Sequence, residues 1–292
     1  MGRPRSDPSE MPLPHPDSGT TTAPPCPRCG GLLLYYDNEV KVGRTGALKL
    51  CPCAEAVCRC GGRTPYRYWN EDAESAWCPC RRGRRRLAET SRLFKQASIP
   101  ERFRWKFQDD FTSRTPDGNV VPFAEVAQSY VSTLVDSGEE PRRGFLLRGP
   151  PGTGKTLLGC IMLNELILHR CRPGRFVNLS RSYFNKLRDT YSESSEEYGQ
   201  TWKIFDELVN LPYLLLDDFG VQRDTPWEQE MLYDLVDARY GAEKFTIVTT
   251  NQALGDFQQL FGGRIYSRLV EMCHMVEMDG MDYRLHMQSS RR

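Results

Sequence analysis

One octapeptide limits the possible folds of this chain more sharply than any other segment: Gly149-Pro150-Pro151-Gly152-Thr153-Gly154-Lys155-Thr156. It fits the full G-x-x-x-x-G-K-[ST] pattern and lies between a short apolar segment and a longer one. Glycines let backbone N–H groups converge on phosphate oxygens, and the N-terminal end of a following helix adds positive potential. We therefore expect strand, loop and helix in that order, with Lys155 on the β- and γ-phosphates and Thr156 on Mg²⁺.

A second acidic site follows the apolar run Leu214 to Leu216, where Asp217 and Asp218 stand side by side. A buried strand that ends in acids places carboxylates at the carboxyl edge of a parallel sheet, where ligands bind. We expect Asp217 to hold Mg²⁺ and Asp218 to orient or deprotonate the attacking water. Asn251 follows another strand-like run and could bond that water, although asparagine at a strand end is also a common turn former.

Arg264 and Arg268 are four residues apart, which places them on one face of a predicted helix. An arginine supplied across a subunit interface can stabilise the charge of a phosphoryl-transfer transition state. The same spacing is more often that of two solvated arginines, so it does not establish the role by itself.

Four segments of different composition follow one another along the 292 residues. Residues 1–25 are rich in Pro, Ser, Thr and Gly and predict a disordered tail. Residues 26–86 form a cysteine-rich module, and residues 87–111 read as a connector with a helix. From 112 to 292 strand and helix patterns alternate, which predicts an α/β domain with a parallel sheet between helices. The net charge of +1 indicates no global attraction to nucleic acid, and no apolar run is long enough for a membrane, so we expect a cytoplasmic protein.

Eight of the eleven cysteines fall between residues 26 and 80. They form four close pairs, which is what two tetrahedral four-cysteine zinc sites require. The simplest partition gives one quartet of Cys26, Cys29, Cys51 and Cys53 and another of Cys58, Cys60, Cys78 and Cys80. Other combinations of the four close pairs into two quartets satisfy the number of zinc ligands equally well. The spacings are not those usual for iron–sulfur clusters, and we expect zinc to supply folding energy that so short a segment lacks.

In the order and the residues of their motifs, these segments resemble the DnaC/DnaI/IstB group of AAA+ ATPases. The likeness covers roughly residues 98–284 and rests on GPPGTGKT, LLLDDFG, a helix ending in Ala-Arg-Tyr, IVTTN, GGRIYSRL and a late Asp-Tyr-Arg. It implies a P-loop AAA+ fold that lacks the usual helical lid. It also implies that Asn251 is the sensor, that Arg268 is an arginine finger donated in trans with Arg264 a second candidate, and that Arg284 reaches the nucleotide. Many AAA+ proteins have Asp-Glu where this chain has Asp217-Asp218, so we expect slow turnover.

The resemblance also implies partners. In this group they are a replicative, DnaB-type ring helicase, single-stranded DNA and further copies of the chain. The DNA contact matches residues 181–188, where basic and aromatic residues alternate; an amphipathic helix with its aromatics in the core would show the same pattern. The first half of the cysteine module resembles zinc-binding domains through which some helicase loaders contact the helicase. Two alternatives stay open, namely an IstB-like transposition helper on duplex DNA and an adaptor that uses ATP only as a conformational switch.

Overall fold

The computed structural model describes residues 26–37, 48–111, 124–196, 198–220, 225–259 and 263–279. The predicted tail of residues 1–25 and the candidate nucleotide contact Arg284 lie outside these ranges. None of the helices in the described ranges is both long enough and apolar enough to cross a bilayer.

The cysteine-rich part consists of two small hairpins and a helix. Strands β1 (Leu34–Tyr36) and β2 (Leu48–Leu50) pair antiparallel, and α1 (Pro52–Ala56) follows. A second antiparallel pair is formed by β3 (Arg67–Trp69) and β4 (Ser75–Trp77). The long helix α2 (Arg81–Gln96) begins directly after the last cysteine of the module. The module boundary predicted at residue 86 therefore falls inside α2, whose first six residues are five arginines and Gly83.

The following domain alternates helices and parallel strands. Its elements in chain order are α3 (Ala124–Asp136), β5 (Gly144–Arg148), α4 (Lys155–Arg170), β6 (Gly174–Asn178), α5 (Phe184–Asp189), α6 (Thr201–Asn210), β7 (Tyr213–Asp217), α7 (Pro226–Gly241), β8 (Phe245–Thr250), α8 (Leu254–Gln259), α9 (Arg264–Met272) and β9 (Cys273–Glu277). The strand order is β6-β7-β8-β5-β9, and every neighbouring pair is parallel. This sheet confirms the predicted fold class.

Side chains on the central strands alternate between two buried clusters. In β7, Leu215 packs on the side of α4, whereas Leu214 and Leu216 pack on the side of α7 and α9. Because both faces of the sheet are covered, the central strand β7 carries an unbroken apolar run from Tyr213 to Leu216. This continuous burial leaves polar side chains at the strand ends, which is where the candidate site lies.

The cysteine-rich module shares its core with the larger domain. Leu34 and Leu48 belong to the same buried cluster as Phe94 of α2 and Leu163 of α4. The guanidinium of Arg86 donates to the carbonyl oxygen of His169 at 2.7 Å, near the C-terminal end of α4, where helix carbonyls lack partners within the helix. Helix α2 therefore joins the module to the sheet domain.

Candidate nucleotide site and cysteine clusters

The predicted phosphate loop lies between β5 and α4. Gly149 (φ 154°) and Gly154 (φ 94°) adopt backbone conformations that side chains disfavour, and a Cβ at Gly149 would lie 2.3 Å from the carbonyl oxygen of Met278. The Lys155 ammonium donates to the carbonyl oxygens of Gly149 at 2.8 Å and Pro150 at 2.6 Å. The ammonium is thus held over the loop, at the N-terminal end of a 16-residue helix.

Asp217 stands at the end of β7 and is 4% exposed. Its Oδ1 accepts hydrogen bonds from the hydroxyls of Thr156 at 2.8 Å and Thr249 at 2.7 Å. Burial raises the pKa of this carboxyl, and the hydroxyl hydrogen bonds partly offset that rise. A carboxylate beside a threonine hydroxyl is a donor set of hard oxygens, which fits Mg²⁺.

Asp218 has a left-handed backbone (φ 60°), a conformation that is uncommon outside glycine and turns its side chain out of the strand direction. Its backbone N–H donates to the Thr249 hydroxyl at 3.1 Å, and its Oδ2 accepts from the Asn178 amide at 2.9 Å. Asn178 lies opposite Asp217 in the strand register. Neither Asn178 nor Thr249 was identified from the sequence as a site residue. Asn178 ends β6 and Thr249 is the last but one residue of β8, so a polar side chain near a strand end was the signal available.

A cavity of about 790 Å³ joins these groups. At one end are the phosphate loop, Asp217, Asp218 and Asn251. At the other are Pro100, Arg102, Phe103 and Phe176, and the guanidinium of Arg102 lies 4.3 Å from the centre of the Phe103 ring. A charged, polar end and an aromatic end suit a nucleotide, because phosphates need cations and amides and a base needs apolar or π surfaces. No role was assigned to Pro100, Arg102 and Phe103 from the sequence.

The two arginines of α9 are placed differently from each other. Arg268 forms an ion pair with Asp237 of α7 and donates to the Tyr233 hydroxyl at 2.9 Å, whereas the side chain of Arg264 is exposed. Neither is among the described residues that line the cavity of its own chain.

The expectation that aromatics of residues 181–188 stack on DNA bases is wrong for Tyr183 and Phe184. Both are buried in the α7 side of the core, and Phe184 packs edge-on against Trp227. The amphipathic interpretation holds for these two residues, whose rings lie in the core where a π-helical turn at 179–183 meets α5. Exposed aromatics lie further along, at Tyr191, Tyr198 and Trp202.

The eight clustered cysteines form two groups, and these are the quartets of the simplest partition. Sulfur separations are 3.8 and 3.7 Å in the first group and 3.8 and 3.5 Å in the second. Zn–S bonds of about 2.3 Å in a tetrahedron place sulfurs about 3.8 Å apart, whereas a disulfide requires about 2.05 Å. The geometry of both groups therefore fits four-coordinate zinc.

Comparison with known proteins agrees with the fold and the phosphate loop. The family model described as IstB-like ATP binding protein matches residues 124–291, more than half of the chain. The replicative helicase loader DnaC of Escherichia coli K12 is 28% identical over 125 residues, which are 43% of this chain and 49% of that protein. The chain thus spans about half the length of the DnaC relatives it matches.

Two further likenesses extend this result. An ATP-binding protein in an insertion sequence of Mycobacterium tuberculosis is 27% identical over 207 residues, covering 69% of this chain and 76% of that one. The crystal structure of the DnaC helicase loader superposes with a TM-score of 0.52 at 23% identity and covers 62% of this chain and 100% of that chain. The structural likeness supports the fold.

Proposed function

The chain belongs to the IstB-like ATP-binding protein family, and we propose that it uses ATP to place a replicative ring helicase on single-stranded DNA. The observation that carries the proposal is the first cysteine quartet, whose hairpin packs onto the ATP-binding domain through Leu34 and Leu48. In its sequence, the first half of the cysteine module resembles the zinc-binding domains through which some helicase loaders contact the helicase. A module fixed to the nucleotide domain can pass a nucleotide-dependent change to the partner it holds.

In this proposal each end of the cavity has a task. Lys155 binds the β- and γ-phosphates, Thr156 and Asp217 hold Mg²⁺, and Asp218 and Asn251 orient the attacking water. The bound ion neutralises phosphate charge. Asn178 and Thr249 fix the positions of both carboxylates. Arg102 and Phe103 contact the base.

We propose a DNA contact on α5, α6 and the segment between them, with different aromatics from those expected. Trp202 is 73% exposed and stacks on Phe205, and Tyr191 and Tyr198 are also exposed. Lys186 and Lys203 supply positive charge on the same two helices. Exposed rings beside lysines suit a single strand, since bases stack on the rings while ammonium groups neutralise phosphates.

The first test is native mass spectrometry of the purified chain with the replicative helicase from the same source, with and without ATP. The proposal predicts that the wild-type chain forms a complex with the helicase ring. It also predicts that the Lys155→Ala chain differs from wild type in how ATP affects formation or release of that complex. No complex in either condition would contradict it. A complex without any hydrolysis in the presence of DNA would leave ATP as a conformational switch.

A transposition helper is the second candidate, and a specific observation favours it. The insertion-sequence relative aligns over 207 residues of this chain, against 125 for the DnaC relative. That candidate predicts assembly on duplex DNA in ATP, seen as filaments by electron microscopy. Filaments on duplex together with no helicase complex would replace the loader proposal.

A further inference from the structure

The hairpin of β3 and β4 is anchored at both ends by the second cysteine quartet. Cys58 and Cys60 precede β3, and Cys78 and Cys80 directly follow β4. Four metal ligands at the base of a short hairpin hold it in one conformation. The hairpin lies outside residues 124–291, so the family match assigns no role to it.

One face of this hairpin is aromatic and open. Arg67 pairs with Trp77 and Trp69 pairs with Ser75 across the two strands, and all four side chains are exposed. Because side chains alternate along a strand, these four share one face, while Tyr68 and Ala76 share the other. Trp69 is 74% exposed and Trp77 50%, and Trp69 makes no ring contact with another described residue. An open indole beside a second, partly exposed indole on one rigid face is typical of a binding surface.

Positive charge is gathered at one end of the same face. The guanidinium carbons of Arg67 and Arg81 lie 4.7 Å and 3.9 Å from the centre of the Trp77 ring. The acidic residues Glu71, Asp72 and Glu74 occupy the turn, at the opposite end of the hairpin. Arginines held on an aromatic ring lose little freedom when they bind a phosphate.

We propose that this face, made of Arg67, Trp69, Trp77 and Arg81, binds single-stranded nucleic acid. Trp69 is the ring on which a base stacks, and Trp77 is a positioning residue that holds the two guanidiniums for the phosphates. Stacking on an open indole requires an unpaired base, so a duplex is a poor ligand. The contact is separate from the nucleotide cavity and requires neither ATP nor the helicase.

The test uses the full, zinc-loaded chain without nucleotide and a fluorescein-labelled dT20 strand, with U20 and a 20-base-pair duplex as further arms. Fluorescence anisotropy is measured at several salt concentrations. We expect Trp69→Ala to weaken dT20 binding on the order of tenfold with an unchanged salt slope, and Trp69→Phe to retain most of the affinity. Trp77→Ala lowers both the affinity and the salt slope, because two phosphate contacts lose their support. Equal affinities for dT20 and U20 would show that the face binds single-stranded DNA and RNA alike. A higher affinity for one of them would identify the ligand as DNA or as RNA.

Ser75→Ala, on the same face, is the matched control, and the zinc content of every variant verifies that the hairpin is folded. Unchanged dT20 affinity in both tryptophan variants would overturn the proposal, most directly if Trp202→Ala alone abolished binding. A helicase complex lost in these variants while dT20 affinity stays unchanged would assign the face to protein and also overturn it. Failure to bind any helicase, with dT20 binding as expected, would contradict the loader function but not this site.

Discussion

At the residue scale, Thr249 links the two acids of the candidate site. Its hydroxyl donates to Asp217 Oδ1 and accepts the backbone N–H of Asp218. One side chain thus sets the orientation of the carboxylate assigned to Mg²⁺ and of the carboxylate assigned to water. The hydroxyl touches neither the phosphate loop nor the aromatic end of the cavity, which makes its effect on turnover separable from nucleotide binding.

Thr249→Val is expected to lower the rate of ATP hydrolysis about tenfold or more while ATP affinity stays within about twofold. The isosteric methyl group keeps the packing of β8 but removes both hydrogen bonds. Steady-state hydrolysis and equilibrium binding of a fluorescent ATP analogue measure the two effects. Thr249→Ser keeps the hydroxyl and should retain most of the activity. Equal losses of affinity and rate in the valine variant would show that Thr249 supports the fold of the site instead.

Arg239 is a second informative residue because it is fully buried without a carboxylate partner among the described residues. Its guanidinium donates to the carbonyl oxygens of Leu208 at 2.6 Å, Leu211 at 3.0 Å and Phe245 at 2.7 Å. Burial lowers the pKa of Arg239 to about 9, so the group remains charged at neutral pH. These acceptors include the end of α6, where helix carbonyls are otherwise unpaired and carry negative potential.

Arg239→Met is expected to lower the free energy of unfolding by about 3 kcal/mol or more, since several buried carbonyls lose a charged donor. Urea denaturation followed by circular dichroism measures the change. Arg143→Met is the matched control: Arg143 also donates to backbone carbonyls, those of Val270 and Cys273, but is exposed. We expect a loss of less than about 1 kcal/mol there. Similar losses in the two variants would show that burial of the guanidinium is not what matters.

At the element scale, the two cysteine quartets support different parts of the molecule. The hairpin of the first quartet contributes Leu34 and Leu48 to the core that contains α4. The hairpin of the second quartet projects Trp69 and Trp77 outward and adds no strand residue to either buried cluster. Loss of the first metal should therefore reach the nucleotide site, and loss of the second should stay local.

This difference predicts unequal effects of two matched substitutions. Cys51→Ser and Cys78→Ser, each at a buried ligand position, should both reduce the zinc count by one in native mass spectrometry. Only Cys51→Ser should accelerate amide hydrogen exchange in α4, because the packing on that helix is lost. Equal acceleration in both variants, or in neither, would contradict the assignment of the first hairpin to the shared core.

Sequence patterns predicted an α/β domain with a parallel sheet because the run Leu214 to Leu216 is continuously apolar and the phosphate loop is unambiguous. Sequence patterns were less informative where contacts between residues distant in the chain determine the local structure. The arginine-rich residues 81–86 were assigned to the cysteine-rich module, yet they begin α2, in which Gly83 leaves room for Leu50. The inward turn of Tyr183 and Phe184 and the bond of Asn178 to Asp218 likewise depend on neighbours that only the folded chain supplies.

At the scale of the whole molecule, the open question is how copies of the chain complete one another's sites. Arg264 and Arg268 are on α9, and neither lines the cavity of its own chain. An arginine that acts on a neighbour's nucleotide requires a head-to-tail arrangement, in which each interface joins two different surfaces. Arg268 is held by Asp237 and Tyr233, so its position is set before any neighbour arrives, whereas Arg264 is exposed.

Mixing two inactive variants tests this arrangement. Lys155→Ala removes the phosphate contact but leaves α9 intact, and Arg268→Ala does the reverse. If Arg268 acts in trans, an equal mixture should recover about a quarter of wild-type hydrolysis, because one interface in four pairs an intact loop with an intact arginine. The measurement is DNA-stimulated ATP turnover across a series of mixing ratios, with a maximum at equal amounts.

A mixture of Lys155→Ala with Arg264→Ala is the matched comparison, since it places the lesion one helical turn away on the same face. Recovery only in the Arg268 mixture would identify the trans residue, and recovery only in the Arg264 mixture would transfer the role to the exposed arginine. An Arg268→Ala chain that is inactive but never rescued would mean that its bond to Asp237 matters within one chain, where it ties α9 to α7. The trans assignment would then be wrong even though the residue is essential.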